Sequence, residues 1–79
     1  MLNLDKYNGV FCEIFQVNVE ILNENFSSNF VDTWDSVFQL SLVTQMEDVF
    51  DVMLEPEDVM DFKSYNLGKE ILAKYGVEF

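Results

Sequence analysis

The sequence has no histidine and no arginine, and it has only four lysines, one proline and one cysteine. Without histidine the chain cannot form a Ser-His-Asp triad, and it has neither a glycine-rich phosphate loop nor a cysteine and histidine set for zinc. Carboxylates are abundant, but on helix surfaces without a cleft they stay ionised and serve neither as acid nor as base. We therefore expect a protein that is not an enzyme and has no metal site.

The scarcity of cations leaves a large excess of acid. Fifteen Asp and Glu side chains against four lysines give a net charge of -11. This balance excludes the basic surface that nucleic acids or anionic membranes require. An acidic surface attracts cationic proteins quickly and in a salt-sensitive way, so we expect basic proteins as partners.

Length and cysteine content limit the class further. The chain has 79 residues, of which 49% are hydrophobic, which is enough for one domain with its own core. Cys12 is unpaired, no leader sequence precedes the first helix, and no apolar run is long enough to span a membrane. We expect residues 1–79 to form a single domain, a discrete cytoplasmic monomer.

Apolar residues at three- and four-residue spacing predict three amphipathic helices. In the first, over residues 4–15, the predicted buried side is Leu4, Tyr7, Phe11, Ile14 and Phe15. In the central helix, over residues 35–50, it is Val37, Leu40, Val43, Met46 and Phe50. In the last helix, from a Ser64 cap to about residue 75, it is Leu67, Ile71, Leu72 and Tyr75.

Two further segments complete the secondary structure. Pro56 suits the first turn of a short helix over residues 56–61, where its missing N–H would be unpaired anyway. Residues 16–33 have no clean period. A strand over residues 17–22 is possible by alternation, but it would have no partner strand. We predict a long loop that anchors apolar side chains over the helices.

The start of the central helix carries the most informative residues. Ser36 and Gln39 fit a capping box, and one interpretation of Ser36 is therefore a simple helix cap. In context, however, Trp34-Asp35-Ser36-Val37 opens an amphipathic helix that ends in the acids Glu47-Asp48, and Pro56-Glu57-Asp58 follows. With this arrangement the sequence resembles the acyl carrier protein family.

The resemblance implies an all-α fold, a four-helix bundle with a long loop between helices 1 and 2 and a short third helix. It also implies that 4'-phosphopantetheine from coenzyme A is esterified to Ser36. Asp35 and Ser36 match the family motif, whereas Val37 replaces its usual leucine. Trp34, Phe38 and Val49 also depart from the family pattern, and these departures concern the partners rather than the attachment site.

The same resemblance assigns two further groups of residues. Phosphopantetheinyl transferase and the loading, synthase or transferase enzymes would place their basic surfaces on Asp35, Val37, Thr44, Glu47, Asp48 and Asp51. An acyl pocket would be lined by Leu40, Val43, Met46, Phe50, Leu54, Val59 and Phe62, with Leu42 and Leu72 beside them. Phe26 and Phe30 of the long loop would cover one side of this pocket.

Seven acids lie between Glu47 and Asp61 with no base among them. They form either a solvated face or a surface for a partner, and their spacing does not match a calcium-binding loop.

Several functions remain open at this point. For a carrier, fatty acid synthesis is the default. Trp34 before the Asp-Ser pair also resembles carriers that serve dedicated polyketide, peptide or sugar-acylation pathways. The alternative classes are an acidic inhibitor that mimics nucleic acid and an interaction module in which Ser36 only caps its helix.

Overall fold

The fold is all-α in the computed structural model, which describes residues 2–29 and 31–79. Four helices follow one another: α1 (Asn3–Phe15), α2 (Ser36–Phe50), α3 (Pro56–Asp61) and α4 (Tyr65–Lys74). The α1–α2 loop contains a single 3-10 turn, Val19–Ile21. No strand occurs in the described ranges, where one isolated antiparallel bridge joins Ser27 to Ser64. The predictions of four helices, a long first loop and a short third helix are confirmed.

The helix starts follow ordinary capping chemistry, with one correction. Ser64 caps α4 as predicted, because its hydroxyl accepts a hydrogen bond from the Leu67 N–H at 2.9 Å. The cap of α2 is Asp35, whose carboxylate accepts the Phe38 N–H at 2.9 Å. The capping box at Ser36 is therefore wrong, since Ser36 is the first residue inside the helix.

The core is built from aromatic rings. The Phe11 ring of α1 is fully buried and lies 5.0 Å from the Tyr7 ring centroid and 5.4 Å from that of Tyr65 on α4. Phe26 and Trp34 of the long loop are also buried, with ring centroids 5.7 and 5.9 Å from that of Phe11. The long loop therefore contributes to the core as predicted; Phe30 lies outside the described residues.

Gly68 allows α4 to approach two of these core rings closely. A Cβ at this position would lie 2.6 Å from Cε1 of Phe62, and closer still to Cζ of that ring and to the Tyr7 hydroxyl oxygen. That hydroxyl donates a hydrogen bond to the Tyr65 carbonyl at 2.5 Å, and burial raises the pKa of Tyr7. The interior at this point has no room for another heavy atom.

The buried side of α2 differs from the predicted stripe. Leu40 is 62% exposed and Val37 is 69% exposed. The fully or nearly buried positions are Leu42, Val43 and Met46, with Phe38, Val49 and Phe50 half-buried against the core. Val43, Met46 and Phe50 of the predicted stripe do face the core. Val37 and Leu40 do not, because α2 carries apolar residues on nearly every side and periodicity alone did not select one.

Two smaller corrections concern α1 and α4. Leu4 of α1 is 37% exposed and Leu67 of α4 is 43% exposed, so each lies at the edge of its helix's buried stripe rather than within it.

Across the described residues, no helix has the length and apolar character that crossing a membrane requires.

Candidate functional site

Ser36 lies at the exposed start of the longest helix. It is the first residue of the 15-residue α2, and its side chain is exposed. Because the Asp35 carboxylate makes the cap, the Ser36 hydroxyl is not used for it. The partial positive charge of the helix N-terminus favours an anion at this position. The local structure thus combines an exposed nucleophile with a favourable environment for a phosphate ester.

A cleft of about 350 Å³ opens beside Ser36. Its walls come from the long loop, the first turn of α2 and the junction between α3 and α4. The lining residues are Ser28, Trp34, Asp35, Ser36, Gln39, Met60 and Lys63. We call this the Ser36 cleft. It is an open surface feature, and three separate segments of the chain meet in it.

The walls of the Ser36 cleft are joined by hydrogen bonds. The Trp34 indole N–H donates to Oε1 of Gln39 at 2.5 Å, and Nε2 of Gln39 donates to the Val59 carbonyl at 2.7 Å. The Ser28 N–H donates to the Lys63 carbonyl at 2.8 Å. Gln39 therefore links the loop, α2 and α3, instead of completing a capping box at Ser36.

Among the described residues, Lys63 is the one cationic side chain that lines this cleft. Two of the other three lysines have partners: Lys74 pairs with Asp58 at 2.6 Å, and the Lys69 ammonium lies 4.6 Å from the Tyr65 ring centroid. In the described ranges Lys63 forms no ion pair. An exposed cation thus lines the same cleft as Ser36 despite the strongly acidic composition of the chain.

The residues predicted to contact partners lie along α2. Val37, Thr44, Asp48 and Asp51 are exposed, and Thr44, Glu47 and Asp48 line a common shallow cleft with Val52 and Met53. Eleven residues separate Ser36 from Glu47, which corresponds to about 16 Å along a helix. The structure therefore brings Thr44, Glu47 and Asp48 together and leaves Asp35 and Ser36 at the other end of α2.

Two of the seven acids between Glu47 and Asp61 make contacts that stabilise the fold. The half-buried Glu47 accepts the Leu54 N–H at 2.8 Å, which fixes the α2–α3 loop. Asp58 accepts hydrogen bonds from Lys74 at 2.6 Å and from the Tyr75 hydroxyl, and these two bonds hold the Asp58 pKa below its usual value. The remaining acids of the group are exposed: Asp48, Asp51, Glu55, Glu57 and Asp61.

The residues predicted to line an acyl pocket have different environments. Val43, Met46, Leu54 and Phe62 are buried in the core, and Phe50 and Val59 are half-buried against it. Leu40 is exposed at the surface, and its assignment to an interior pocket is wrong for the same reason as the α2 stripe. Among the described residues, none of these seven lines the Ser36 cleft or the cleft that contains Thr44, Glu47 and Asp48.

Sequence reasoning missed four residues of the Ser36 cleft: Ser28, Gln39, Met60 and Lys63. Gln39 was assigned to a cap, and the others are distant from Ser36 in sequence. The sequence contained one signal for Lys63, because it is a single base shortly after the acidic segment 47–61. Without the α3–α4 geometry, however, nothing connected it to Ser36.

Within residues 2–29 and 31–79, no three His, Cys, Asp or Glu side chains converge as a metal site would require. Comparison with protein-family models, curated proteins and solved structures finds no match to this chain.

Proposed function

We propose that this chain is a carrier protein of the acyl carrier type. It holds intermediates as thioesters on a 4'-phosphopantetheine arm attached to Ser36. The strongest support is the position of Ser36, an exposed residue at the start of a long helix. Because Asp35 caps this helix, the Ser36 hydroxyl does not serve as the cap. A serine that only capped its helix would have its hydroxyl on a backbone N–H two or three residues on.

The chain's own contribution is to present the arm, because the thioester chemistry belongs to the cofactor and to other enzymes. In the attachment step, Oγ of Ser36 bonds to the phosphorus of coenzyme A that carries pantetheine. The P–O–P bond of coenzyme A breaks, and adenosine 3',5'-bisphosphate and the hydroxyl proton leave. A phosphopantetheinyl transferase catalyses this step. The helix N-terminus offers a favourable electrostatic environment for the phosphodiester charge. The carrier is thus a substrate of its partners and has no catalytic residues of its own.

The exposed face of α2 supplies the recognition surface. Val37 offers an apolar contact next to Ser36, and Thr44 and Asp48 lie further along the same helix. Each exposed ion pair with a basic partner contributes only about 0 to 1 kcal/mol. The complexes are therefore transient, as a shuttle between a loading enzyme and a synthase or transferase requires.

The proposed pathway is fatty acid synthesis or a dedicated polyketide, peptide or sugar-acylation system. All of these use the same attachment chemistry at Ser36, and the cargo is selected by the partner enzymes. The common requirement is an accessible arm, which the position of Ser36 at the surface satisfies.

Transfer of a fluorescent coenzyme A analogue by a broad-specificity phosphopantetheinyl transferase tests the proposal. The wild type should become labelled, and Ser36→Ala should not. Ser41→Ala is the matched control, because Ser41 is also exposed on α2 and lies five residues further on. If Ser36→Ala is labelled as well as the wild type, the attachment site is wrong. If no protein is labelled while all three are folded, the chain is an acidic interaction module rather than a carrier.

A further inference from the structure

We infer that the Ser36 cleft is the resting site of the phosphopantetheine arm, with Lys63 contacting the phosphodiester and with Trp34 and Met60 contacting the pantoyl group. This inference rests on the proposed function, since the occupant is the arm attached to Ser36. It adds a defined path for the arm and assigns a role to Lys63.

The geometry of the cleft favours this occupant over any other. Ser36 itself forms part of the lining, so a group attached to its Oγ begins inside the cleft. A tethered group has a far higher effective concentration there than a free ligand. Even weak contacts with the walls are therefore enough to hold the arm.

The charges of the cleft complement the arm. The phosphodiester carries one negative charge, and Lys63 is the cation of the lining. Asp35 is the one acid of the lining, and its carboxylate is already engaged with the Phe38 N–H at 2.9 Å. Lys63 is therefore free to neutralise the phosphodiester, as the paired Lys74 is not.

The apolar part of the cleft matches the next segment of the arm. Met60 is 69% exposed, and the Trp34 indole forms another part of the lining. The pantoyl group has two geminal methyls that can pack on such surfaces, and methionine adapts to irregular shapes. A volume of about 350 Å³ is close to the lower limit for ligand pockets, which suits the phosphate and pantoyl part and leaves the thioester end outside.

The packing of the core disfavours an inward route for the arm. Leu42, Met46 and Leu72 are fully buried, and the space beside Gly68 is filled by the Phe62 ring and the Tyr7 hydroxyl. An arm or cargo entering between the helices must displace these side chains, whereas the Ser36 cleft is already open. We therefore expect the arm to lie on the outer surface and the cargo to remain exposed to solvent.

Nuclear Overhauser effects (NOEs) in the arm-bearing protein test this directly. The inference predicts NOEs from the pantoyl methyls to the Met60 methyl and to the Trp34 indole protons, which are unambiguous because the chain has one tryptophan. NOEs to the methyls of Leu42 or Met46 instead, or none to the protein, would overturn it.

Lys63→Gln tests the phosphodiester contact, with Lys69→Gln as the matched control on α4. In Lys63→Gln the pantoyl NOEs should weaken by about two- to fivefold, which corresponds to the loss of one exposed ion pair. Lys69→Gln should leave them unchanged. Equal NOEs in the two variants would rule out the role of Lys63.

Intact mass separates this inference from the proposed function. A protein that gains the arm but shows no cleft NOEs remains a carrier with a freely moving arm, and only the inference fails. A folded protein that never gains the arm overturns both.

Discussion

The Asp35 carboxylate accepts the backbone N–H of Phe38 at 2.9 Å and so caps α2 in place of the neighbouring Ser36. The sequence alone suggested both a helix cap and an attachment site at Ser36, and the cap is in fact made by Asp35. Stability depends on Asp35, and the proposed attachment depends on Ser36. Asp35→Ala should therefore lower stability, whereas Ser36→Ala should abolish the proposed attachment with little effect on stability.

Ser36→Ala should change the free energy of unfolding by less than about 0.5 kcal/mol, as an exposed substitution outside a cap does. Asp35→Ala should cost about 0.5 to 2 kcal/mol through the lost cap. Urea denaturation of both variants measures the difference. A loss of more than about 1 kcal/mol in Ser36→Ala would show that its hydroxyl does contribute to the helix start.

Glycine-to-alanine changes at two helical positions should have opposite signs. Gly68→Ala should destabilise the protein by about 1 to 3 kcal/mol, because its Cβ would overlap the Phe62 ring. Gly9→Ala on α1 should stabilise it by about 0.5 to 1 kcal/mol, since nothing lies within 4 Å of the added Cβ and alanine favours helix. Thermal unfolding compares the two, and a stabilising Gly68→Ala would contradict the described packing.

Acid should weaken the contact between α3 and α4. The hydrogen bonds from Lys74 and Tyr75 lower the Asp58 pKa in the folded protein. The ionised carboxylate therefore stabilises the fold above the ordinary Asp pKa of about 4, and this contribution is lost as the pH falls through the lowered value. Asp58→Asn should be less stable than the wild type at pH 7, and the two should converge in acid.

Denaturation as a function of pH checks the Asp58 prediction, with Asp48→Asn as the matched control because Asp48 is exposed on α2. Bonding to Asp58 also raises the pKa values of Lys74 and Tyr75. The stability that Lys74 and Tyr75 contribute through these bonds is present below their ordinary pKa values of about 10. It is lost as the pH rises through their raised pKa values in the folded protein. If the difference between Asp58→Asn and the wild type is constant from pH 7 to acid, the ion pair does not stabilise the fold.

Charge reversal on α2 should distinguish recognition from stability. Asp48→Lys should slow arm attachment by a basic transferase by up to about tenfold and reduce its salt dependence, with little effect on unfolding. Glu13→Lys makes the same charge change at an exposed residue of α1 and should have a smaller effect. Initial rates of attachment measure this. Equal rates for the two variants would remove α2 as the electrostatic contact surface.

Glu47 is less suitable for the same experiment. Its carboxylate accepts the Leu54 N–H at 2.8 Å, so Glu47→Lys would break the α2–α3 loop contact as well as change the charge. Unsatisfied N–H groups are costly, and a lost rate in that variant would not distinguish unfolding of the loop from weaker binding.

The sequence was sufficient to predict the elements whose ends carry strong local signals. Pro56 at the start of α3 and Ser64 at the cap of α4 are such signals, because each acts through its own backbone neighbours. At α2, Asp35 and Ser36 are both good caps, and the choice between them depended on Gln39. That side chain bonds to Val59 and Trp34, contacts that only the tertiary fold creates.

The candidate site could be predicted at its centre but not at its periphery. Ser36 was identified from residues next to it, whereas Met60 and Lys63 approach it from beyond α3. The exposure of Leu40 could not be predicted from the sequence for a similar reason. Apolar residues on most sides of α2 gave no single buried stripe, and contacts with α1 and the loop determined which side turned inward.

A covalent arm on Ser36 is tested most directly by the intact mass of the purified protein before and after incubation with coenzyme A and a phosphopantetheinyl transferase. We expect a gain of one phosphopantetheine in the wild type, localised to Ser36 by fragmentation, and no gain in Ser36→Ala. A folded wild type whose mass stays unchanged with several transferases would contradict it.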